Sequence, residues 1–269
     1  MATFLQQLIL GIVQGIVEWI PFSSEGALFY VASNIFKLTD VNDMLRIALF
    51  LHFGTFFAAL IYFWRDVKAL AKGIFHYKKT DLETKKILDF LFVTTLISGF
   101  VGLAFLQFLK FVVVESELLT TSKIITFMIG ILLIITGYLQ LKASRSGIRT
   151  IYHLKRSDAV FLGFMQGLAA LPGFSRSGLT ISGLLFRKIN DTQALRLSFL
   201  MSLPIILIGN ILINFSDIQF VGGMFWGLLA SFVVGLATIH GMMTLSKRVR
   251  FGYFVIIIAI LVMLSAFLF

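Results

Sequence analysis

Two short polar clusters interrupt an otherwise apolar chain, and their residue types suit phosphate chemistry. The later cluster reads Pro172-Gly173-Phe174-Ser175-Arg176-Ser177-Gly178, with Thr180 just beyond. A guanidinium presents a fixed fork of donors that matches phosphate oxygens. Ser175, Ser177 and Thr180 add hydroxyls, while Gly173 and Gly178 let the backbone approach a ligand closely. A helix expected directly after this cluster would turn its unbonded N–H groups and its positive end toward the same anion. The earlier cluster, Pro21-Phe22-Ser23-Ser24-Glu25-Gly26, brings two hydroxyls and a carboxylate. Gln14 and Glu18 precede it with i, i+4 spacing, which places both on one helical face. Oxygen ligands opposite an anion site suit a hard divalent cation, Mg²⁺ or Ca²⁺. One cluster therefore suits phosphate, and the other suits a metal and a hydroxyl. That combination serves either phosphoryl transfer or the transport of a phosphate headgroup. Other phosphate signatures are missing: there is no Walker loop and no His-Glu-x-x-His. The acid-phosphatase pattern would need a His where Ser182 stands.

The elements that must position these clusters lie in a bilayer. Apolar residues make up 58% of the 269 positions and charged residues 13%, too little polar surface for a soluble chain of this length. The formal charge of +10 sits in short loops between apolar runs, where basic residues orient membrane proteins and meet anionic headgroups. Nucleic acid is not an expected partner. Cysteine is absent, which removes disulfides, thiolate metal sites and a Cys nucleophile. The opening MATFLQQLIL has no basic region and no small-residue cleavage site, so a removable signal peptide is not expected.

Six apolar runs are long enough to span, near 44–64, 88–109, 121–141, 196–214, 220–245 and 251–269. Two further stretches are not. Residues 159–171 and 179–186 flank the later cluster, and at about 1.5 Å per residue they reach only about 20 Å and 12 Å. They predict a helical hairpin that enters and leaves on one face. The earlier cluster breaks 3–38 in the same way. An internal repeat ties the two together. At an offset of 152, Leu10, Gly11, Gln14, Gly15, Phe22, Ser23 and Gly26 fall on Leu162, Gly163, Gln166, Gly167, Phe174, Ser175 and Gly178. Basic loops at 65–87, 142–157, 187–196 and 247–250 are expected to be cytoplasmic. Both termini then lie outside, and the hairpins enter from opposite sides, as an inverted repeat requires. The expectation is an all-α membrane protein of six transmembrane helices plus two re-entrant hairpins, one integral domain over 1–269 with repeat halves of about 1–141 and 142–269. A charge at the bilayer centre costs about 2.5–3.5 kcal/mol, so Glu18, Glu25 and Arg176 should face one another or a hydrated cavity.

The motifs resemble those of the undecaprenyl-diphosphate phosphatases of the bacitracin-resistance type. The (E/Q)-x-x-x-E motif stands here as Gln14-Gly15-Ile16-Val17-Glu18, Pro-x-Ser-Ser as Pro21-Phe22-Ser23-Ser24, and Pro-Gly-x-Ser-Arg-Ser-Gly as 172–178 in full. The resemblance covers most of the chain. It implies hydrolysis of undecaprenyl diphosphate to undecaprenyl phosphate and phosphate, recycling the carrier lipid for cell-wall synthesis. It also implies a divalent cation, bacitracin resistance, an inner-membrane location and a site open to the outside. By analogy Gln14 and Glu18 serve the metal, Ser23 or Ser24 is nucleophile or phosphate ligand, and Arg176 stabilises the transferring phosphoryl group. The family usually reads Ser-Ser-Thr-Gly-His-Leu; this chain has Glu25 for the Thr and Ala27 for the His. Glu25 is a candidate to take over the proton transfer, and so is His52 within the first full span, although a satisfied inter-helix hydrogen bond is the more ordinary reading of His52. His240 and Asn210 read as packing groups. The partners expected are a polyprenyl diphosphate lipid and the bilayer, and a homodimer is compatible with both. The alternative is a polyprenyl-phosphate transporter or flippase, or a catalytically weak binder of the same lipid, because the inverted repeat with a midplane site also suits a carrier.

Overall fold

The computed structural model describes residues 3–38, 41–115, 122–143, 147–171, 173–214, 224–245 and 251–268. Pro172 falls outside them. The described chain is helical, and its one isolated bridge pairs Arg149 with Ile189. In order the helices are α1 (Phe4–Val17), α2 (Ser24–Tyr30), α3 (Val41–Tyr62), α4 (Trp64–Phe75), α5 (Leu82–Glu115), α6 (Ser122–Lys142), α7 (Arg156–Leu168), α8 (Arg176–Phe186), α9 (Asp191–Asn214), α10 (Met224–Leu245) and α11 (Phe251–Leu268). Among the described residues three stretches are long and apolar enough to cross a bilayer: Leu82–Gln107, Asp191–Ile211 and Met224–Thr244. A fourth counts if the bent pair α3–α4 is taken as one span.

Both expected breaks are present. Helix α1 stops at Val17 and α2 starts at Ser24; Pro21, between them, cannot donate to a helical ladder and biases its predecessor away from helix. A π-helical turn, Val31–Ile35, prolongs α2. The later break ends α7 at Leu168 and starts α8 at Arg176. Helix α8 begins three residues ahead of the apolar run because Ser175 caps it, its Oγ accepting the Gly178 N–H at 3.0 Å. The basic stretch 65–87, read as a loop, is largely helical. It holds α4, and α5 begins at Leu82, where Asp81 accepts the Thr84 N–H at 2.9 Å. The Thr84 backbone and side-chain donors hold the Asp81 carboxyl below its usual range.

The chain divides into two compact units. The first comprises residues 1–20, 24–85 and 199–246. Here α1 and α3 both pack on α10 through small residues spaced four apart. A Cβ on Gly11 would lie 2.1 Å from the Gly227 carbonyl, and one on Gly54 only 1.8 Å from Ser231 Oγ. Ser231 Oγ donates to the Leu51 carbonyl at 3.0 Å. Such approaches are how helices associate where lipid removes the hydrophobic drive between them. Trp19 is fully buried edge-on against Phe199, with centroids 5.0 Å apart.

The second unit comprises residues 21–23, 86–198 and 247–269. Helix α6 packs on α11, where a Cβ on Gly252 would come within 2.7 Å of the Gly137 carbonyl. Helix α7 packs on α5: a Cβ on Gly163 or on Gly167 would strike Ile97 or Val101, each at 2.6 Å. At the base of the α7–α8 hairpin, fully buried Asp158 meets Arg149 Nη2 at 2.6 Å and the Arg187 Nε–H. Burial opposes its charge, but the Arg149 guanidinium, the Lys155 N–H and the Arg187 guanidinium outweigh burial and hold its carboxyl below the usual range.

Candidate active site

In the first unit, Gln14 and Glu18 stack one turn apart on α1 and the turn after it, as their spacing requires. Gln14 is fully buried and Glu18 nearly so. Gln14 Nε2 donates to Glu18 Oε2 at 3.0 Å. Rotating that amide would set two oxygens against each other, so its orientation is fixed by the carboxylate. The same Oε2 lies 3.3 Å from His52 Nε2 on α3. On the far side of the ring, His52 Nδ1–H donates to the Ala48 carbonyl at 2.6 Å. A carbonyl can only accept, so Nδ1 carries a proton and Nε2 is the atom that exchanges one with Glu18. A proton placed between Nε2 and Glu18 Oε2 would give either an imidazolium beside a carboxylate or a neutral ring beside a carboxylic acid. Glu25 is half-buried in the first turn of α2 and sits where the helix's positive end favours an anion.

The metal expectation meets one favourable observation. Gln14 Oε1 is buried without a hydrogen-bond partner, an orphaned hard oxygen beside a carboxylate, which fits Mg²⁺ or Ca²⁺ chemistry. Among the described residues no three His, Asp or Glu side chains converge as a metal site. Gln14 and Glu18 by themselves would offer only a partial ligand set for such a cation.

In the second unit the cluster 173–180 is built for a tight turn into a helix. Gly173 has φ +109°, and a Cβ there would lie 2.8 Å from the Ile129 Cα; only glycine suits both the conformation and the space. Ser175 caps α8, and its Oγ shares a 3.3 Å contact with Ser177 Oγ. Arg176 is half-buried as the first residue of α8. Thr180 Oγ1 donates to the Arg176 carbonyl at 2.8 Å and lies 2.7 Å from Ser198 Oγ, which must then be the donor of that pair. Its one proton is thus spent inside the turn.

Helix α6 is the platform for this cluster. A Cβ on Gly178 would strike Thr136 Cγ2 and Gln140 Nε2, each at 2.7 Å. That same Gln140 Nε2 donates to the Pro21 carbonyl at 2.9 Å. One α6 amide therefore touches the turn of the later cluster and holds the backbone two residues before buried Ser23. Ser24 opens α2 and is half-buried. Within their units, then, the structure brings Gln14, Glu18 and His52 together, and brings Pro21–Ser23 and the 173–178 turn onto α6.

Gln140 escaped the sequence reading. Its only signal is a lone amide in an apolar run, which by itself reads as packing. Gln166, the repeat counterpart of Gln14, takes a different partner: its Nε2 donates to Ser98 Oγ at 3.0 Å, and its Oε1 is also buried without a partner.

Comparison with known proteins agrees with the motifs. The family model described as bacitracin resistance protein BacA matches residues 7–264. A Methanococcoides burtonii protein named undecaprenyl-diphosphatase is 38% identical over the whole of both chains. Proteins of the same name from Haloarcula marismortui and Alkaliphilus metalliredigens are 35% and 34% identical, over 93% and 94% of each chain respectively. Motifs, length and similarity along nearly the whole chain place this multi-pass membrane protein in the bacitracin resistance protein BacA family.

Proposed function

We propose that this protein hydrolyses undecaprenyl diphosphate, or a polyprenyl diphosphate of the same kind, to the monophosphate and inorganic phosphate, returning a carrier lipid to use. The observation that carries the reading is α6: it seats the Ser175–Gly178 turn and, through Gln140, the backbone leading to Ser23. A phosphoryl-transfer site needs an anion turn and a hydroxyl-bearing segment held in fixed relation, and one helix supplies that relation here.

In this mechanism Arg176 and the head of α8 take the terminal phosphate. The hydroxyl of Ser23 or Ser24 attacks its phosphorus: an O–P bond forms and the bridging O–P bond breaks, releasing the prenyl monophosphate. Water then attacks the phosphoserine and frees phosphate and the serine. Glu18 and His52, 3.3 Å apart, accept and return the proton in place of the imidazole that Ala27 lacks, with Glu25 at the head of α2 as a second carboxylate for that transfer. A divalent cation held by Gln14 Oε1 and Glu18 would supply charge neutralisation to the diphosphate. Ser177 adds a phosphate donor, Gly178 seats the turn against α6, and Thr180 braces the Arg176 carbonyl.

The same reading holds six spans, with α6 and α11 among them, and two opposed re-entrant hairpins, α1–α2 and α7–α8, in a cytoplasmic or inner membrane, the site opening outward. The packing supports it: Gly11 and Gly15 of α1 lean on α10, and their repeat equivalents Gly163 and Gly167 of α7 lean on α5. Each hairpin is thus seated on a helix from the other half of the chain. That exchange also suits a carrier of polyprenyl phosphate, the second reading.

The test is phosphate release from undecaprenyl diphosphate by purified protein with Mg²⁺ or Ca²⁺ and with EDTA, alongside Arg176→Ala. Metal-dependent release that falls about 10³-fold in the variant is expected. Folded protein that binds the lipid and releases nothing moves the assignment to the carrier.

A further inference from the structure

The chain does not leave α3 as a span leaves a membrane. At Phe63 (φ −97°, ψ 27°) it turns through 86°, and α4 runs on across the direction of α3. If α3 follows the bilayer normal, α4 lies in the plane of the surface. Eight of its twelve residues form three stripes. Leu70 and Gly73 are buried against the protein. Trp64, Ile74 and Phe75 are 54%, 67% and 81% exposed. Arg65, Lys68 and Lys72, spaced three and four apart, are exposed on a third side. The turn that follows adds Lys78 and Lys79, so residues 64–79 carry five Lys or Arg against the single carboxylate of Asp66.

We propose that α4 is an in-plane interfacial helix that reads acidic phospholipid headgroups. The geometry assigns each stripe a phase: protein behind, acyl-chain boundary beneath, headgroup phosphates beside. Phe75 and Ile74 are too exposed to be settled in water and have a natural sink in the boundary region. The basic stripe borders the apolar one, so the aliphatic stems can lie along the boundary while the cationic ends reach phosphate. The excess of positive charge selects acidic lipids over zwitterionic ones. Because α4 continues directly from the helix that carries His52, headgroup binding would also fix the depth of that helix. The inference does not depend on the phosphatase reading.

Trp64 supplies the probe. Full-length protein and its Trp64→Phe variant, reconstituted in phosphatidylcholine vesicles, are titrated with brominated phosphatidylcholine or brominated phosphatidylglycerol, and the difference isolates the Trp64 emission from that of Trp19 and Trp226. Quenching by both lipids, several-fold stronger for the acidic one, is expected. In Arg65→Gln/Lys68→Gln/Lys72→Gln the preference should vanish while quenching by phosphatidylcholine and the thermal midpoint remain. Absence of quenching by either lipid would put α4 outside the interface and overturn the proposal. An acidic preference that survives in the triple variant would overturn it equally, because the basic stripe would not be the reader.

Discussion

Glu18 is where the chemistry is most finely set. Its Oε2 takes a donor from Gln14 and faces His52, whose other nitrogen is pinned by Ala48. Truncating the ring removes the imidazole that faces the carboxylate. His52→Ala is expected to lower kcat about 10²–10⁴-fold with a much smaller change in KM, measured by phosphate release. An equal rise in KM with kcat intact would reduce His52 to a packing group. Gln140 acts at one remove, by positioning. Gln140→Leu deletes the donor to Pro21 and leaves that carbonyl unsatisfied, a cost of about 1–3 kcal/mol. The expected signature is a fall in kcat of about tenfold or more that Gln140→Asn, with its shorter amide, restores only in part. A loss of folded protein with kcat unchanged would argue for a structural amide alone.

Among the elements, the small-residue seams decide which helices meet. Gly54 and Gly99 make a direct comparison. A methyl on Gly54 enters Ser231 Oγ and the Leu228 carbonyl, whereas a methyl on Gly99 finds nothing within 4 Å. Gly54→Ala is expected to destabilise by about 1–3 kcal/mol, and Gly99→Ala to be neutral or slightly stabilising through helix propensity. Thermal unfolding in detergent separates them. The Asp158 knot at the foot of α7 has a defined pH signature. Its folded carboxyl lies below the unfolded value of 3.8, so its contribution is full above that value and is lost as pH falls through the lower, folded one. Asp158→Asn should lower the melting temperature at neutral pH and flatten its decline in acid. A wild-type acid profile in the variant would remove Asp158 as its source.

For the molecule as a whole, topology is the point most open to a direct test. The chain has no cysteine, so single-cysteine variants report sidedness against a silent background. Cysteines replacing Lys78 and Arg156 should both label with an impermeant maleimide from the cytoplasmic face. Labelling from opposite faces would break the six-span arrangement and with it the opposed hairpins. The exchange of partners between halves makes a further point. Helix α1 rests on α10 and α7 on α5, each a helix of the other half, while the first hairpin also packs on α3 of its own half.

Much of this is legible in the residues alone. Breaks at 21–26 and 172–178 follow from proline, glycine and polar clusters, because backbone punctuation acts within a turn. Helices α1 and α7 in fact end earlier, at Val17 and Leu168, and α2 and α8 begin inside the clusters, at Ser24 and Arg176. The Gln14–Glu18 contact follows from helical spacing alone. Helix α4 was missed because its Lys and Arg stripe cancels its apolar stripe in any window average, and only the direction of the chain at Phe63 separates the two. His52 on Glu18 and Gln140 on Pro21, the latter 119 residues apart, depend on how each helix is rotated about its axis. Hydropathy is nearly blind to that angle in a chain so apolar on every side. Close packing at glycines fixes it, and so the tertiary structure, rather than the pattern of residues, chose the partners of the site.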